Sequence, residues 1–168
     1  VIIQNSMQVI TVLSLGSNVG NRLNYLNLSK ISICNLIGPI QFSSNIYETE
    51  PWGIDNQDSY LNQVVAVQTD RTPNDLLDNI HLIEREFGRI RRVHYGPRTI
   101  DIDILYYGER IIDIENLKIP HPHIQKRRFI LVPLSEILPQ MHHPFLKKSN
   151  QKLLDDVKDD GKVTKWQP

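Results

Sequence analysis

The residues best suited to chemistry lie in one stretch, Arg89 to Leu105, which reads RIRRVHYGPRTIDIDIL. Asp101 and Asp103 alternate with Ile100, Ile102 and Ile104. The two-residue period of a strand sends the isoleucines to one face and both carboxylates to the other. Same-face neighbours on a strand are roughly 6.6 Å apart, a span that can bracket one or two hard cations but leaves two unpaired anions too close. Ahead of them stand Arg89, Arg91, Arg92 and Arg98 with no acidic residue between, while Gly88, Gly96 and Pro97 interrupt any regular element. Transfer from a nucleoside triphosphate needs this pairing: hard oxygens for Mg²⁺ at the transferring phosphate, and guanidinium forks for the other oxygens. Either half alone would equally be the solvated face of an edge strand or an ordinary charged loop. Their adjacency is the signal.

The elements that must position this stretch follow from the rest of the chain. At 168 residues it suits a single domain over 1–168, with residues 1–6, ahead of Met7, an N-terminal extension or a cloning remnant. Nineteen basic and nineteen acidic residues cancel, so a general grip on nucleic acid or an anionic membrane is not expected, and phosphate binding has to come from local clusters. The single cysteine, Cys34, excludes a disulfide framework and fits a reducing, cytoplasmic compartment; its position in a helical pattern predicts a small core residue. No apolar run reaches the roughly 20 residues of a membrane span, and no export signal stands at the N-terminus.

Val9 to Leu15 reads as a strand ending at GSNVGNR, and Asn21 as the cap of a helix from Arg22 to about Ile37 with an apolar stripe of Leu23, Leu26, Ile31 and Ile33. Ile40 to Tyr47 predicts a second strand. Residues 48–59 (ETEPWGIDNQDS) form a long loop, and Tyr60 to Thr69 a third strand. Thr72-Pro73 opens a helix whose Leu76, Leu77, Ile80, Ile83 and Phe87 recur at helical spacing. The aspartate strand completes a βαββαβ order, hence an α+β, ferredoxin-like fold: an antiparallel sheet with helices on one face, plus a C-terminal extension. Beyond it, Arg110 to Asp113 and Leu117 to Ile119 suggest a peripheral hairpin. Residues 118–139 combine prolines, two histidines and Lys126-Arg127-Arg128 ahead of an apolar run, and the charged tail holds one short helix around Leu153 to Val157.

No Walker P-loop, dinucleotide fingerprint or protein-kinase signature is present. His121 and His123 lack partners at zinc spacing and sit five residues before the cation run, which suits donors to phosphate oxygens better than metal ligands. Trp52, Tyr60, Asn62 and Phe129 supply aromatics and an amide, the chemistry for stacking and hydrogen-bonding a flat heterocycle, although core packing is the ordinary use of each aromatic.

Four segments together resemble the 6-hydroxymethyl-7,8-dihydropterin pyrophosphokinase family: HYGPRTIDIDIL at 94–105, YETEPWGIDNQDSYLN at 47–62, IEREFGRIR at 83–91 and IPHPHIQKRRF at 119–129. The resemblance runs from about Val9 to Pro144. It implies an ATP- and Mg²⁺-dependent diphosphotransferase that moves pyrophosphate from ATP to the pterin hydroxymethyl group, releases AMP and serves folate biosynthesis. On matching positions, Asp101 and Asp103 would hold two Mg²⁺ ions, Arg89 and Arg98 would grip the phosphates catalytically, and Arg91, Arg98, Ile104, His121 and Arg127 would contact ATP. Thr49, Trp52, Tyr60, Asn62 and Phe129 would form the pterin pocket. Tyr95, Pro122 and His81 depart from residues common in the family. The partners expected are the two small-molecule substrates, with no nucleic acid and no membrane, for a monomer. A rival enzyme reading is a two-metal nucleotidyltransferase of the ferredoxin-like palm type; a non-catalytic rival is a ligand-binding or RNA-binding module, against which stand the zero net charge and missing RNP pattern.

Arg98→Ala is expected to slow the chemical step more than it weakens pterin binding, checked by comparing single-turnover rates with pterin affinity; a pure binding defect would contradict the assignment.

Overall fold

The structure, a computed structural model, describes residues 8–50, 58–88 and 99–168. Its element order is β1 (Val9–Ser17), α1 (Arg22–Leu36), β2 (Ile40–Ser43), β3 (Tyr47–Thr49), β4 (Tyr60–Thr69), α2 (Pro73–Glu86), β5 (Asp101–Tyr107), β6 (Ile112–Ile114), β7 (Leu117–Ile119), a 3-10 turn (Ile124–Lys126), α3 (Arg128–Ile137), α4 (Asn150–Asp156) and β8 (Val163–Lys165). The main sheet runs β5-β1-β4-β3-β8, with β2 also on β4, and its pairings are antiparallel. This is the ferredoxin-like order expected from the chain, extended by one C-terminal strand.

Local chemistry sets the boundaries. The Asn21 side chain accepts from the Asn24 N–H at 3.1 Å, capping α1. At the start of α2 the Thr72 hydroxyl accepts from the Asp75 N–H at 3.2 Å and donates to the Asp75 carboxylate at 2.7 Å, while Pro73 takes the first helical position. The segment from Ile40 to Tyr47 is two strands rather than one. From Ser43 to Tyr47 the chain advances four residues while its β4 partners move from Val65 to Asn62, three residues, so one residue is extra. Ser44 fills that gap: its hydroxyl accepts from the Val64 N–H at 3.0 Å and its backbone N–H donates to the Val64 carbonyl at 2.9 Å.

Helices cover both faces of the sheet, which corrects the expectation of one. Leu26, Ile33, Leu76, Ile80 and Ile83 from α1 and α2 pack with Leu13, Leu15, Val65, Ile102 and Ile104. On the opposite face Ile130, Leu131 and Leu134 of α3 and Leu153 of α4 pack with Val12, Val64, Ala66, Leu105 and Tyr106. The apolar run after Arg128 is thus a helix, with Pro133 in its interior; burial of its apolar face outweighs the backbone cost of that proline. The short helix of the tail begins earlier than expected, at Asn150, and β8 was not foreseen. Cys34 is exposed on α1 rather than in the core, as is Ile31, because the helix turns only Leu26, Ser29 and Ile33 fully inward.

A turn around the buried His143 ties α4 to the second core. The ring of His143 stands edge-on to Tyr106 with centroids 5.7 Å apart, and its Nδ1 accepts the N–H groups of Phe145 at 3.3 Å and Leu146 at 3.2 Å. Burial lowers its pKa from the ordinary histidine value. A ring kept neutral on folding supplies stability that is complete above the unfolded value of about 6.5 and is lost as pH falls through the folded one. Acidification from pH 7 to 5 should therefore lower the melting temperature. His143→Ala should cost about 1–3 kcal/mol at pH 7 and flatten that dependence, both read from melting curves across pH.

Candidate active site

β5 is an edge strand of the sheet, and its alternation holds: Ile102 and Ile104 are buried while Asp101 and Asp103 are half-exposed on the other face. Its outer edge needs partners for backbone groups that no strand covers. Glu84, nearly fully buried on α2, accepts the Ile102 N–H at 2.9 Å. Further along, the His121 N–H donates to the Leu105 carbonyl at 3.0 Å. The same contact sets the His121 ring beside the acids, its Nε2 3.9 Å from an Asp103 carboxylate oxygen.

Burial, then the charge of Arg127 and the neighbouring His123, lowers the His121 pKa to about 4. The ring is therefore neutral near pH 7. Its Nδ1 accepts from the His123 N–H at 3.2 Å, so the ring proton sits on Nε2, the side facing Asp103. Arg127 in turn lies 5.8 Å over the Phe129 ring.

Along this outer edge runs a cavity of about 570 Å³ between α2 and the β6–β7 hairpin, lined by Leu77, His81 and Glu84, by residues 101–104, by Asn116 and Lys118, and by His121. Asp101, Asp103, Ile104 and His121 thus share one hollow. Sequence reasoning had not assigned Leu77, Glu84, Asn116 or Lys118 to it. For α2 the signal was present, since Leu77, His81 and Glu84 follow one another at helical spacing of four and three.

Inward from the acids lies a second polar surface. Asp101 pairs with Gly16, which pairs with Asn62, so the three stand in one row across β5, β1 and β4. Two strand spacings put the acid roughly 10 Å from the amide. A Cβ on Gly16 would lie 3.3 Å from the Asn62 Oδ1 and 3.8 Å from the Tyr60 ring. Only a hydrogen keeps that floor open. The Asn62 amide donates to the Thr49 hydroxyl at 2.7 Å, and both are buried.

Thr49 and Tyr60 pair directly, and the segment between them is tied at its feet. Arg22 donates to the Glu48 carboxylate at 2.9 Å and to the Ser59 carbonyl at 2.7 Å, and the Ser59 hydroxyl donates to Glu48 at 2.7 Å. Those hydrogen bonds, Ser59 first and Arg22 next, hold the Glu48 carboxyl below its ordinary range. Arg89, Arg91, Arg98 and Trp52 lie outside the described residues. Among the described residues no cluster of three or more histidine, cysteine, aspartate or glutamate side chains stands ready to hold a metal, and no helix is long and apolar enough to cross a membrane.

The family model described as 7,8-dihydro-6-hydroxymethylpterin-pyrophosphokinase (HPPK) matches residues 12–139. The chain belongs to this family. A curated 2-amino-4-hydroxy-6-hydroxymethyldihydropteridine pyrophosphokinase of Aquifex aeolicus is 43% identical over 136 residues, covering 81% of this chain and 84% of the relative. The Bacillus subtilis enzyme of the same name is 39% identical, covering 80% of this chain and 81% of the relative. Some relatives are far longer: the chain spans 18% of the folic acid synthesis protein fol1 of Pneumocystis carinii, to which it is 41% identical over 79% of its own length. Among solved structures, wild-type Plasmodium falciparum HPPK-DHPS aligns with a TM-score of 0.74 at 18% identity, covering 88% of this chain and 42% of that one, a likeness of fold. The chain is accordingly a pyrophosphokinase of folate biosynthesis, with ATP as donor and the hydroxymethyl dihydropterin as acceptor.

Gly16→Val should put branched carbon against Asn62 and Tyr60. The expected outcome is at least a tenfold loss of turnover with about 1–3 kcal/mol of destabilisation, measured by AMP release and by thermal melting.

Proposed function

We propose that Asp101 and Asp103 mark the point of phosphoryl transfer, between a nucleotide hollow on the outer edge of β5 and a pterin surface on its inner side. The observation that carries this reading is the row Asp101, Gly16, Asn62, which sets the acids beside the cavity along β5 and two strands from the buried amide. The donor set suits Mg²⁺. Two half-exposed aspartates, with no metal-holding cluster of three or more ligand side chains among the described residues, match an ion that takes one or two protein carboxylates and completes its shell with water and substrate phosphate. Asp101 and Asp103 would hold two such ions, and the chemistry supplied there would be neutralisation of the charge that develops on the phosphates in transfer.

The chain's own groups do the rest. Ile104 and Leu77 offer apolar walls for the base. His121, neutral with its proton on Nε2, donates to a phosphate oxygen, and Arg127 adds fixed positive charge. Arg89, Arg91 and Arg98 would supply guanidinium groups for the remaining oxygens. Thr49 and Asn62 offer donor and acceptor groups to the pterin edge, Tyr60 and Phe129 stack on its faces, and Trp52 lies on the intervening segment. The substrate hydroxyl oxygen attacks the β-phosphorus. The bond from that phosphorus to the bridging α-phosphate oxygen breaks, the electron pair leaves with AMP, and the hydroxyl proton passes to solvent. A loose transition state of this kind needs positioning and charge neutralisation more than a strong base. The two apolar cores share one sheet, which supports a single domain over 1–168, and we read it as a cytoplasmic monomer.

Mixing the protein with ATP, Mg²⁺ and the hydroxymethyl dihydropterin should yield AMP and the pterin diphosphate. Release of pyrophosphate with AMP on the acceptor would instead mark a nucleotidyltransferase. Asp101→Asn or Asp103→Asn should reduce turnover by at least a hundredfold with little change in melting temperature. Turnover near wild type in either variant would refute the metal assignment.

A further inference from the structure

α3 carries Phe129 in its first turn, yet it starts without any capping group of its own. Its cap residue Arg127 makes no side-chain cap hydrogen bond, and its first turn holds no acid. The missing acceptor comes from the tail, 31 residues further on: the Asp159 carboxylate accepts the Arg128 N–H at 2.9 Å through Oδ2. Its other oxygen accepts the Gly161 N–H, also at 2.9 Å. One carboxylate therefore joins the start of α3 to a turn in the tail, where a negative charge also suits the helix dipole.

Just past that turn the tail becomes β8. Val163 pairs with Thr49, Thr164 with Glu48 and Lys165 with Tyr47, and the Trp166 N–H donates to the Ile46 carbonyl at 2.9 Å. β3 would otherwise be the sheet's outer strand and present unpaired backbone groups beside Thr49. The far end of α3 is tied to the same strand, since the Tyr47 hydroxyl donates to the Glu136 carboxylate at 3.1 Å and the Asn45 N–H donates to it at 3.0 Å. Helix, tail and strand thus close a ring, in which the Asp159 carboxylate joins the tail turn to the helix start.

We infer that the segment from Asp159 to Lys165 is a positioning strap for the pterin site, setting the distance between Thr49 on β3 and Phe129 on α3. The inference rests on the pterin reading above, in which Thr49 meets the edge of the ring and Phe129 one of its faces. Asp159 touches no reacting atom. Arg127, the cap residue of α3, is the one group read as a nucleotide contact that borders the ring, and its long side chain absorbs a small shift of the helix start, so the strap acts on the pterin more than on ATP.

The test compares steady-state constants for both substrates, with pterin affinity measured beside a non-hydrolysable ATP analogue and Mg²⁺. Asp159→Ala should raise the pterin KM and Kd at least fivefold, while kcat and the ATP KM stay within twofold. Asp159→Asn, which keeps one acceptor oxygen, should recover part of that loss. Gly161→Ala supplies a second, milder probe if Asp159→Ala folds poorly, since its Cβ would come within 2.9 Å of the Asp159 Oδ1 and push the carboxylate aside; it should raise the pterin KM about twofold or more. The strap is overturned if pterin constants are unchanged in these variants, or if pterin and ATP constants worsen together in step with melting temperature. Asn62→Ala separates the two levels: an unchanged pterin KM there sinks the site reading itself, whereas a raised one with Asp159→Ala silent sinks only the strap.

Discussion

The placement of Asp101 and Asp103 depends on the register of one strand. β5 has its isoleucines in the core beneath α1 and α2 and its two acids on the opposite face. A slip of one residue would drive both carboxylates into that core, where an unpaired charge costs several kcal/mol, and would bring the isoleucines out. The register is therefore held by the apolar core, and the acids gain their placement from residues that have no chemical task. Pairing through Gly16 and Ser14 on β1 then transmits that placement to Asn62 and Val64 on β4.

The outer edge of β5 is where structure and chemistry meet. An edge strand exposes backbone groups that invite association, and here a buried glutamate and the backbone of a histidine loop occupy them. The groups that protect the edge, Glu84 and His121, also line the cavity beside the two acids. Desolvation of His121 follows from this role and keeps its ring neutral beside Asp103.

Much of this was legible in the residues. The alternation of Asp101 and Asp103 with isoleucines, the Asn21 and Thr72 caps, and the long β4 run all follow from period and capping chemistry, and the arrangement of strands followed from their order. Other parts had no local signature. The break at Ser44 is a one-residue surplus set by pairing with β4, and Pro133 disguised α3, whose helix depends on an apolar partner across the sheet. The exposure of Cys34 reflects which side of α1 meets the sheet, a fact of assembly. At the site, Glu84 reads as one charge in a charged stretch until the edge of β5 gives it a donor to accept. Gly16 reads as a turn former until Asn62 and Tyr60 arrive beside it.

The knot of Arg22, Glu48 and Ser59 has a bearing on how such a chain can diverge. It holds Glu48 on β3 beside Ser59 just ahead of β4, so the pairing of Thr49 with Tyr60 is fixed by groups outside residues 51–57. Closing a longer connection is inexpensive, since each doubling adds only about 0.6 kcal/mol of entropy. Descendants of this sequence are free to lengthen, shorten or recompose the chain between Glu50 and Asp58 while the Thr49–Tyr60 pair is inherited intact.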